Sequence, residues 1–135
     1  MICLDTNVVI AIVSGRSSSL RHRVGEQIRN GMPIALPVVA LFEMRYGFAK
    51  SSRREHNENL LERFLSLGID VLPFETEDAA HAGDIRADLE IKGTPIGAYD
   101  CLIAAQARRR GAPLVTLNVR EFSRVSGLIV TDWPA

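Results

Sequence analysis

Five oxygen-bearing side chains have types and places in the chain that could do chemistry. Carboxylate and amide oxygens that converge on one point bind hard cations such as Mg²⁺ or Mn²⁺. A cation held in this way supports metal-assisted hydrolysis of a phosphodiester. The five residues are Asp5, Glu43, Asp100, Asn118 and Glu121.

Three of these residues follow short apolar runs that are typical of strands. Asp5 comes directly after Ile2 to Leu4, and Asn118 and Glu121 follow Leu114 to Leu117. The carboxyl ends of parallel strands are the places where such sheets bind ligands. Each residue also has a simpler interpretation: Asp5 as a helix N-cap, Asn118 as a turn residue and Glu121 as a solvated helix start.

The other two acids lie in helical segments. Glu43 stands inside the apolar segment Pro37 to Phe48 and borders its buried stripe, although an exposed helix glutamate fits equally well. Asp100 shares a helix face with Ile103 and Ala107, where an ionised carboxylate is costly unless it is paired or metal-bound. The alternative for Asp100 is a first-turn acid that the helix dipole favours.

Strands alternate with helices along the chain. Short apolar runs predict five strands, at Ile2 to Leu4, Pro33 to Leu36, Val71 to Leu72, Leu114 to Leu117 and Leu128 to Val130. Helical spacing between them gives four stripes, which include Val39, Phe42, Tyr46 and Ala49, then Leu60, Leu61, Phe64 and Leu65, then Ala82, Ile85 and Leu89, and finally Ile103, Ala104 and Ala107. This alternation predicts a mostly parallel sheet covered by helices on both faces.

Composition narrows the function classes. The 135 residues suit one domain, and 16 acidic and 16 basic residues cancel, which excludes a general polybasic coat for nucleic acid. Arg108 to Arg110 favour a solvated helix end over an RNA-contacting patch.

Cys3 and Cys101 form no zinc or disulfide pattern, and no apolar run is long enough to cross a membrane. We expect a soluble protein of a reducing compartment, the cytoplasm.

Four segments resemble the PIN-domain family, and in particular its VapC-type toxins. They are LDTNVVI at Leu4 to Ile10, ALFEMRYG at Ala40 to Gly47, IRADLEIKGTPIGAYDCLIAAQAR at Ile85 to Arg108, and LVTLNVREFSRVSGL at Leu114 to Leu128. The resemblance covers nearly the whole chain and implies a single PIN domain over residues 1–135. It also implies a three-layer α/β/α sandwich, in agreement with the alternation of strands and helices.

The resemblance assigns roles to the five oxygen-bearing side chains and to three neighbours. It implies a catalytic cluster of Asp5, Glu43 and Asp100, with Asp5 and Asp100 as the metal ligands. Many relatives carry a fourth acid where this chain has Asn118, so Glu121 is expected to supply that charge. The neighbours that would line the site or orient its carboxylates are Thr6, Asn7 and Thr116.

The activity implied is that of an Mg²⁺- or Mn²⁺-dependent endoribonuclease silenced by a VapB-type antitoxin. Such a toxin is expected to form a homodimer and a toxin–antitoxin hetero-oligomer, and to reach operator DNA only through the antitoxin. We expect the antitoxin tail to lie in an apolar groove formed by Met44, Phe48, Leu60 and Leu61. The alternative function is a catalytically silent PIN-like module that binds RNA or protein, which the amide at Asn118 leaves open.

Overall fold

The computed structural model describes residues 1–133, which form five strands and seven helices. The strands are β1 (Ile2–Leu4), β2 (Ile34–Pro37), β3 (Asp70–Leu72), β4 (Leu114–Val115) and β5 (Val130–Thr131). The helices are α1 (Thr6–Val13), α2 (Ser18–Arg29), α3 (Val38–Ala49), α4 (Arg54–Leu65), α5 (Thr76–Ile91), α6 (Ala98–Arg109) and α7 (Val119–Phe122). Within this part of the chain, no helix is long and apolar enough to span a membrane.

The five strands form one sheet in the order β3-β2-β1-β4-β5, and every pairing in it is parallel. On one side β1 pairs with β2, where Ile2 lies opposite Ile34, and on the other it pairs with β4, where Cys3 lies opposite Leu114. The chain builds outward from β1 to β3 and then returns to add β4 on the free side of β1. The crevice between the ends of β1 and β4 is therefore a topological switch point, where open α/β sheets bind ligands.

The central strands are buried because helices cover both faces of the sheet, which is the predicted three-layer α/β/α sandwich. All five predicted strands are present. Their bounds differ from the predicted ones by at most two residues, and the largest differences are that β4 ends at Val115 and that β5 begins at Val130. Both cysteines are free and buried, as small apolar side chains.

The prediction for the buried face of α3 was wrong. Phe42 and Tyr46 are 50% and 56% exposed, and the face that packs into the core carries Ala40, Met44 and Phe48. Helix α3 is apolar on nearly all sides, so two helical stripes compete for the core and spacing alone does not decide between them. The exposed face instead pairs its rings: Phe42 stacks on Tyr46 with centroids 6.4 Å apart.

The solvated interpretation of Arg108 to Arg110 was also wrong. Arg109 Nε and Arg110 Nη1 donate to Asp78 Oδ1 at 2.6 Å and 2.9 Å, and Asp78 is fully buried. Arg108 Nε donates to His81 Nδ1 at 3.0 Å. These arginines therefore join α6 to the start of α5.

Candidate active site

Asp5 lies at the carboxyl end of β1, in the switch-point crevice, and is only 4% exposed. Its Oδ1 accepts the Thr6 N–H at 2.8 Å, so Asp5 is the N-cap of α1. Its Oδ2 accepts a hydrogen bond of 2.8 Å from Thr116 Oγ1 at the end of β4. The capping interpretation and the strand-end interpretation of Asp5 are thus both correct.

Two threonines extend this network to neighbouring elements. The fully buried Thr116 accepts the Asn118 N–H at 2.9 Å, and this bond aims its own proton at Asp5. The Thr6 hydroxyl donates to Glu43 Oε1 at 2.8 Å, which brings α3 to the same crevice. Hydrogen bonds therefore connect the ends of β1 and β4 with the middle of α3.

Asp100 is the third residue of α6 and is half-buried. Within residues 1–133 its carboxylate has no hydrogen-bond or ion-pair partner. Burial, together with the negative charges of Asp5, Glu121 and Glu43, raises the pKa of Asp100 from 3.8 to about 7. Asp5, Glu121 and Glu43 therefore lie near enough to Asp100 for their charges to act on it.

The pKa of Asp5 is raised for related reasons. Burial is the main cause, and the charges of Glu43 and Glu121 add to it. The hydrogen bonds from Thr116 and Thr6 act in the opposite sense, because they stabilise the ionised carboxylate. The site is therefore a crowded group of carboxylates that lacks a positive partner in the described part of the chain.

Glu121 holds a different position from the other acids. Its Oε1 accepts the Gly97 N–H at 3.4 Å, and its Oε2 contacts the side-chain amide of Asn118. Its Oε1 thus ties α7 to the start of α6, whereas its Oε2 is held by Asn118, the N-cap residue of α7 itself. Asn7, which was predicted to support the site, is exposed and has no partner among the described residues.

The donor set fits a hard divalent cation. The side chains that face the crevice offer only oxygen, which suits Mg²⁺ or Mn²⁺ and not a thiolate-binding metal. Burial raises the pKa of the neighbouring Cys101 thiol, which keeps it protonated. No group of three or more His, Cys, Asp or Glu side chains in residues 1–133 is already arranged as a ligand set. Asp5 and Asp100 are the two carboxylates that would hold such a cation.

One residue of the site escaped prediction. Gly97 marks the start of α6 in the sequence, and nothing in the residue pattern shows that it adjoins the Asp100 carboxylate. Only the i, i+3 spacing from Gly97 to Asp100 could have pointed to it, because the N-cap and the third helical residue lie close together.

The model of the PIN domain family matches residues 2–128. The chain belongs to the PIN-domain family. The match includes every acidic residue of the crevice and all the elements that position them. The matched range also contains all four segments on which the resemblance rests.

Curated relatives of this PIN domain match it along almost its whole length. A tRNA(fMet)-specific endonuclease VapC of Shigella flexneri is 42% identical over 130 residues, which are 96% of both chains. A ribonuclease VapC2 of Rickettsia felis is 35% identical over the same share of both chains. The chain is therefore a VapC-type PIN domain.

Solved structures agree with this placement. VapBC2 from Rickettsia felis, bound to a DNA fragment from its promoter, superposes with a TM-score of 0.92 at 34% identity. That match covers 99% of this PIN domain and 100% of the other chain. DNA-bound VapBC from Salmonella typhimurium gives a TM-score of 0.89 at 38% identity, with the same coverage.

Proposed function

We propose that this chain is the toxin of a type II toxin–antitoxin pair, an endoribonuclease that hydrolyses RNA phosphodiester bonds with a bound Mg²⁺ or Mn²⁺ ion. The observation that carries the proposal is the grouping of Asp5, Glu43 and Asp100 at the switch point, with Asp100 left unpaired among the described residues. The names of the relatives, a tRNA(fMet)-specific endonuclease and a ribonuclease, support RNA as the substrate.

Asp5 and Asp100 are the ligands in this proposal. Each Asp5 oxygen accepts one hydrogen bond and keeps a lone pair for a cation, and both oxygens of Asp100 are available. When bound, the cation supplies a Lewis acid for the phosphate and lowers the pKa of water. The hydrogen bond from Thr116 fixes the orientation of Asp5, a support that ligating carboxylates commonly have.

Glu43 orients the attacking water and accepts its proton. The Thr6 hydroxyl fixes Oε1 of Glu43, whereas Oε2 has no hydrogen-bond partner in residues 1–133. A carboxylate with one oxygen anchored and one free is suited to this role, because the anchor sets the direction of the free oxygen. Thr6 is therefore a positioning residue that serves Asp5 through its backbone and Glu43 through its side chain.

Cleavage of a labelled pool of total RNA, transfer RNA included, tests the proposal. Antitoxin-free wild type, Asp100→Asn and the matched control Asp84→Asn are compared with Mn²⁺ and with chelator. Asp84 is an exposed aspartate of α5, outside the site. We expect Mn²⁺-dependent fragments from the wild type and from Asp84→Asn, and none from Asp100→Asn. Equal cleavage by all three would refute the site.

The same experiment separates the enzyme from the alternative, a catalytically silent module. A silent module would leave the RNA intact with Mn²⁺ as well as with chelator. The unpaired Asp100 favours the enzyme, because a half-buried carboxylate without a partner is costly to a fold and useful to a cation site.

A groove between α1, α2 and α4 is our proposed binding site for a VapB-type antitoxin. The groove, defined here by its lining, has a volume of about 650 Å³. Its apolar wall includes Ile12, Val13, Val24, Leu60, Phe64 and Leu67, and its basic rim includes Arg21, His22, Arg29 and Arg63. An amphipathic helix with acidic flanks fits this combination. The VapBC names of the solved relatives support a VapB partner.

The groove differs from the one predicted from the sequence. Met44 and Leu61 are 1% and 0% exposed and do not line this groove. Phe48 is also buried, and of the predicted residues only Leu60 lines the groove. For Met44 and Phe48 the difference has the same origin as the error in the buried face of α3, whereas Leu61 lies in α4.

Charge reversal on the rim tests the groove. Arg29→Glu and Arg63→Glu are compared with Arg54→Glu, which alters an exposed residue of α4 outside the groove. We expect both rim variants to bind the cognate antitoxin at least tenfold more weakly at low salt, and Arg54→Glu to bind it normally. Rim variants with unchanged affinity and salt dependence would place the antitoxin elsewhere.

The remaining expectations stay predictions. The family model and the single buried core support one PIN domain over residues 1–135, although residues 134 and 135 lie outside the described part of the chain. Light scattering of the chain alone and with its antitoxin tests the homodimer and the hetero-oligomer. The free, buried cysteines are consistent with the expected reducing compartment.

A further inference from the structure

The start of α6 has a glycine that its backbone does not require. Gly97 is the N-cap residue, with φ −55° and ψ 147°, a conformation that any residue adopts. Glycine is an acceptable N-cap residue, but serine, asparagine and aspartate serve at least as well, so the cap alone does not call for a glycine. Because Gly97 is exposed, close packing of the core does not explain it.

The neighbouring carboxylate does explain it. A Cβ on residue 97 would lie 3.1 Å from Asp100 Oδ2 and 3.6 Å from Asp100 Cγ. The first distance is tighter than nine in ten real Cβ contacts, so the carboxylate would have to move by a few tenths of an ångström. By contrast, a Cβ on Gly83, in the middle of α5, would meet nothing within 4 Å.

The backbone N–H of Gly97 also forms no hydrogen bond with Asp100. In a capping box, an acid at the third helical position accepts the N–H of the N-cap residue. Here Glu121 Oε1 accepts that N–H at 3.4 Å, and Asn118 holds the other oxygen of Glu121. Asp100 is therefore spared the capping role that its position would normally give it.

We infer that Gly97 and Glu121 are positioning residues for Asp100, which keep its carboxylate in place and uncommitted for a divalent cation. Gly97 leaves the space in which Asp100 Oδ2 lies, and Glu121 takes over the cap. This inference rests on the proposed function, because it needs a cation at Asp5 and Asp100. It assigns Glu121 a structural contact where the family resemblance implies a catalytic charge.

Two substitutions at residue 97 test the role of space. Alanine adds the Cβ and is a poor N-cap, whereas serine adds the same Cβ and is a good N-cap. We expect Gly97→Ala and Gly97→Ser both to weaken Mn²⁺ binding by about tenfold or more, measured by calorimetry on antitoxin-free protein. The denaturation midpoint of the metal-free protein should fall for alanine and not for serine. Gly83→Ala is the control and should bind Mn²⁺ like the wild type.

The outcomes are distinct. If serine restores both stability and Mn²⁺ affinity, residue 97 acts only through helix stability and the inference is wrong. It is also wrong if both variants bind Mn²⁺ like the wild type. A wild type that neither binds Mn²⁺ nor cleaves RNA would instead overturn the proposed function, and the inference with it.

Glu121 is tested by two substitutions of its own. Glutamine keeps an acceptor for the Gly97 N–H without the charge, and alanine removes both. We expect Glu121→Gln to bind Mn²⁺ at least severalfold more tightly than Glu121→Ala, and to cleave RNA with a higher kcat at a similar KM. If glutamine is as damaging as alanine, Glu121 acts through its charge and the assignment is overturned.

Discussion

Helices α5 and α6 each carry an aspartate at the third position after the N-cap, and the two aspartates have opposite environments. Asp78 of α5 is fully buried and accepts the Glu75 N–H at 2.8 Å. Its Oδ1 also accepts hydrogen bonds from Arg109 and Arg110. Asp100 of α6 has no such partner among the described residues, although it faces three other acids.

The pKa values express the difference. Burial alone would raise the pKa of Asp78, but the hydrogen bonds from Arg109, the Glu75 backbone and Arg110 outweigh it and hold the pKa below its ordinary value. For Asp100, burial and the neighbouring charges all act upward, to about 7. The position of an aspartate in its helix therefore does not tell whether it stabilises the fold or is available to bind a ligand. The hydrogen-bond and ion-pair partners of the aspartate distinguish the two cases.

The largest effect should come from Asp100→Asn. We expect RNA cleavage to fall more than about 100-fold, beyond the usual loss for a residue that only supports a ligand. The free energy of unfolding of the metal-free protein should stay equal or rise, because one of four crowded carboxylates loses its charge. Denaturant unfolding and RNA cleavage of the same preparation measure both. A marked loss of stability would show that Asp100 is structural after all.

The converse variant is Asp78→Ala. Removing the carboxylate leaves Arg109 and Arg110 without their buried partner and opens the cap of α5. We expect the free energy of unfolding to fall by about 3 kcal/mol. Cleavage per folded molecule should stay near the wild-type rate, because Asp78 lies outside the crevice. If stability is unchanged while cleavage is lost, the contrast between the two helices is wrong.

Thr116→Val tests whether the hydrogen bond from Thr116 orients Asp5, and its effect on cleavage should be intermediate in size. Valine preserves the shape of threonine but cannot donate to Asp5 Oδ2 or accept the Asn118 N–H. We expect cleavage to fall by about 10- to 100-fold. Titration with Mn²⁺ should show weaker binding. An unchanged Mn²⁺ affinity would mean that Asp5 keeps its orientation without Thr116.

The smallest effect is a difference in pH dependence. The raised pKa of Asp100 means that the folded metal-free protein retains a proton between about pH 4 and 7 that the unfolded chain releases. This contribution to stability is complete below about pH 4 and is lost as the pH rises toward 7. Unfolding free energies measured with chelator should therefore fall over this range more steeply for the wild type than for Asp100→Asn. Parallel curves would contradict the raised pKa.

The residues at strand ends could be predicted from the sequence, whereas charge pairs between distant residues could not. Asp5 and Asn118 follow apolar runs, and the parallel sheet inferred from alternation brings such positions to one edge. The partners of Arg109 lie 31 and 34 residues away, and no local pattern reveals them. The arginines at the end of α6 therefore looked solvated until the fold placed them against Asp78.

The spacing of apolar residues also failed to predict the buried face of a helix that has two apolar stripes. Helix α3 could have buried either the stripe with Phe42 and Tyr46 or the stripe with Met44 and Phe48. Packing against the rest of the chain decides between them. The role of Gly97 was hidden for a related reason, because it depends on one distance to Asp100.

The hydrogen bond between Thr116 and Asp5 joins residues 111 positions apart, and it has a consequence for synthesis of the protein. A nascent chain that has folded through β3 contains Asp5, Glu43 and Thr6, but β1 still lacks its neighbour β4 and Asp5 lacks its Thr116 donor. We expect such a chain to be unable to cut RNA, including the message and transfer RNAs of the ribosome that is making it. We therefore expect the proposed activity to arise only after β4 has been synthesised and has paired with β1.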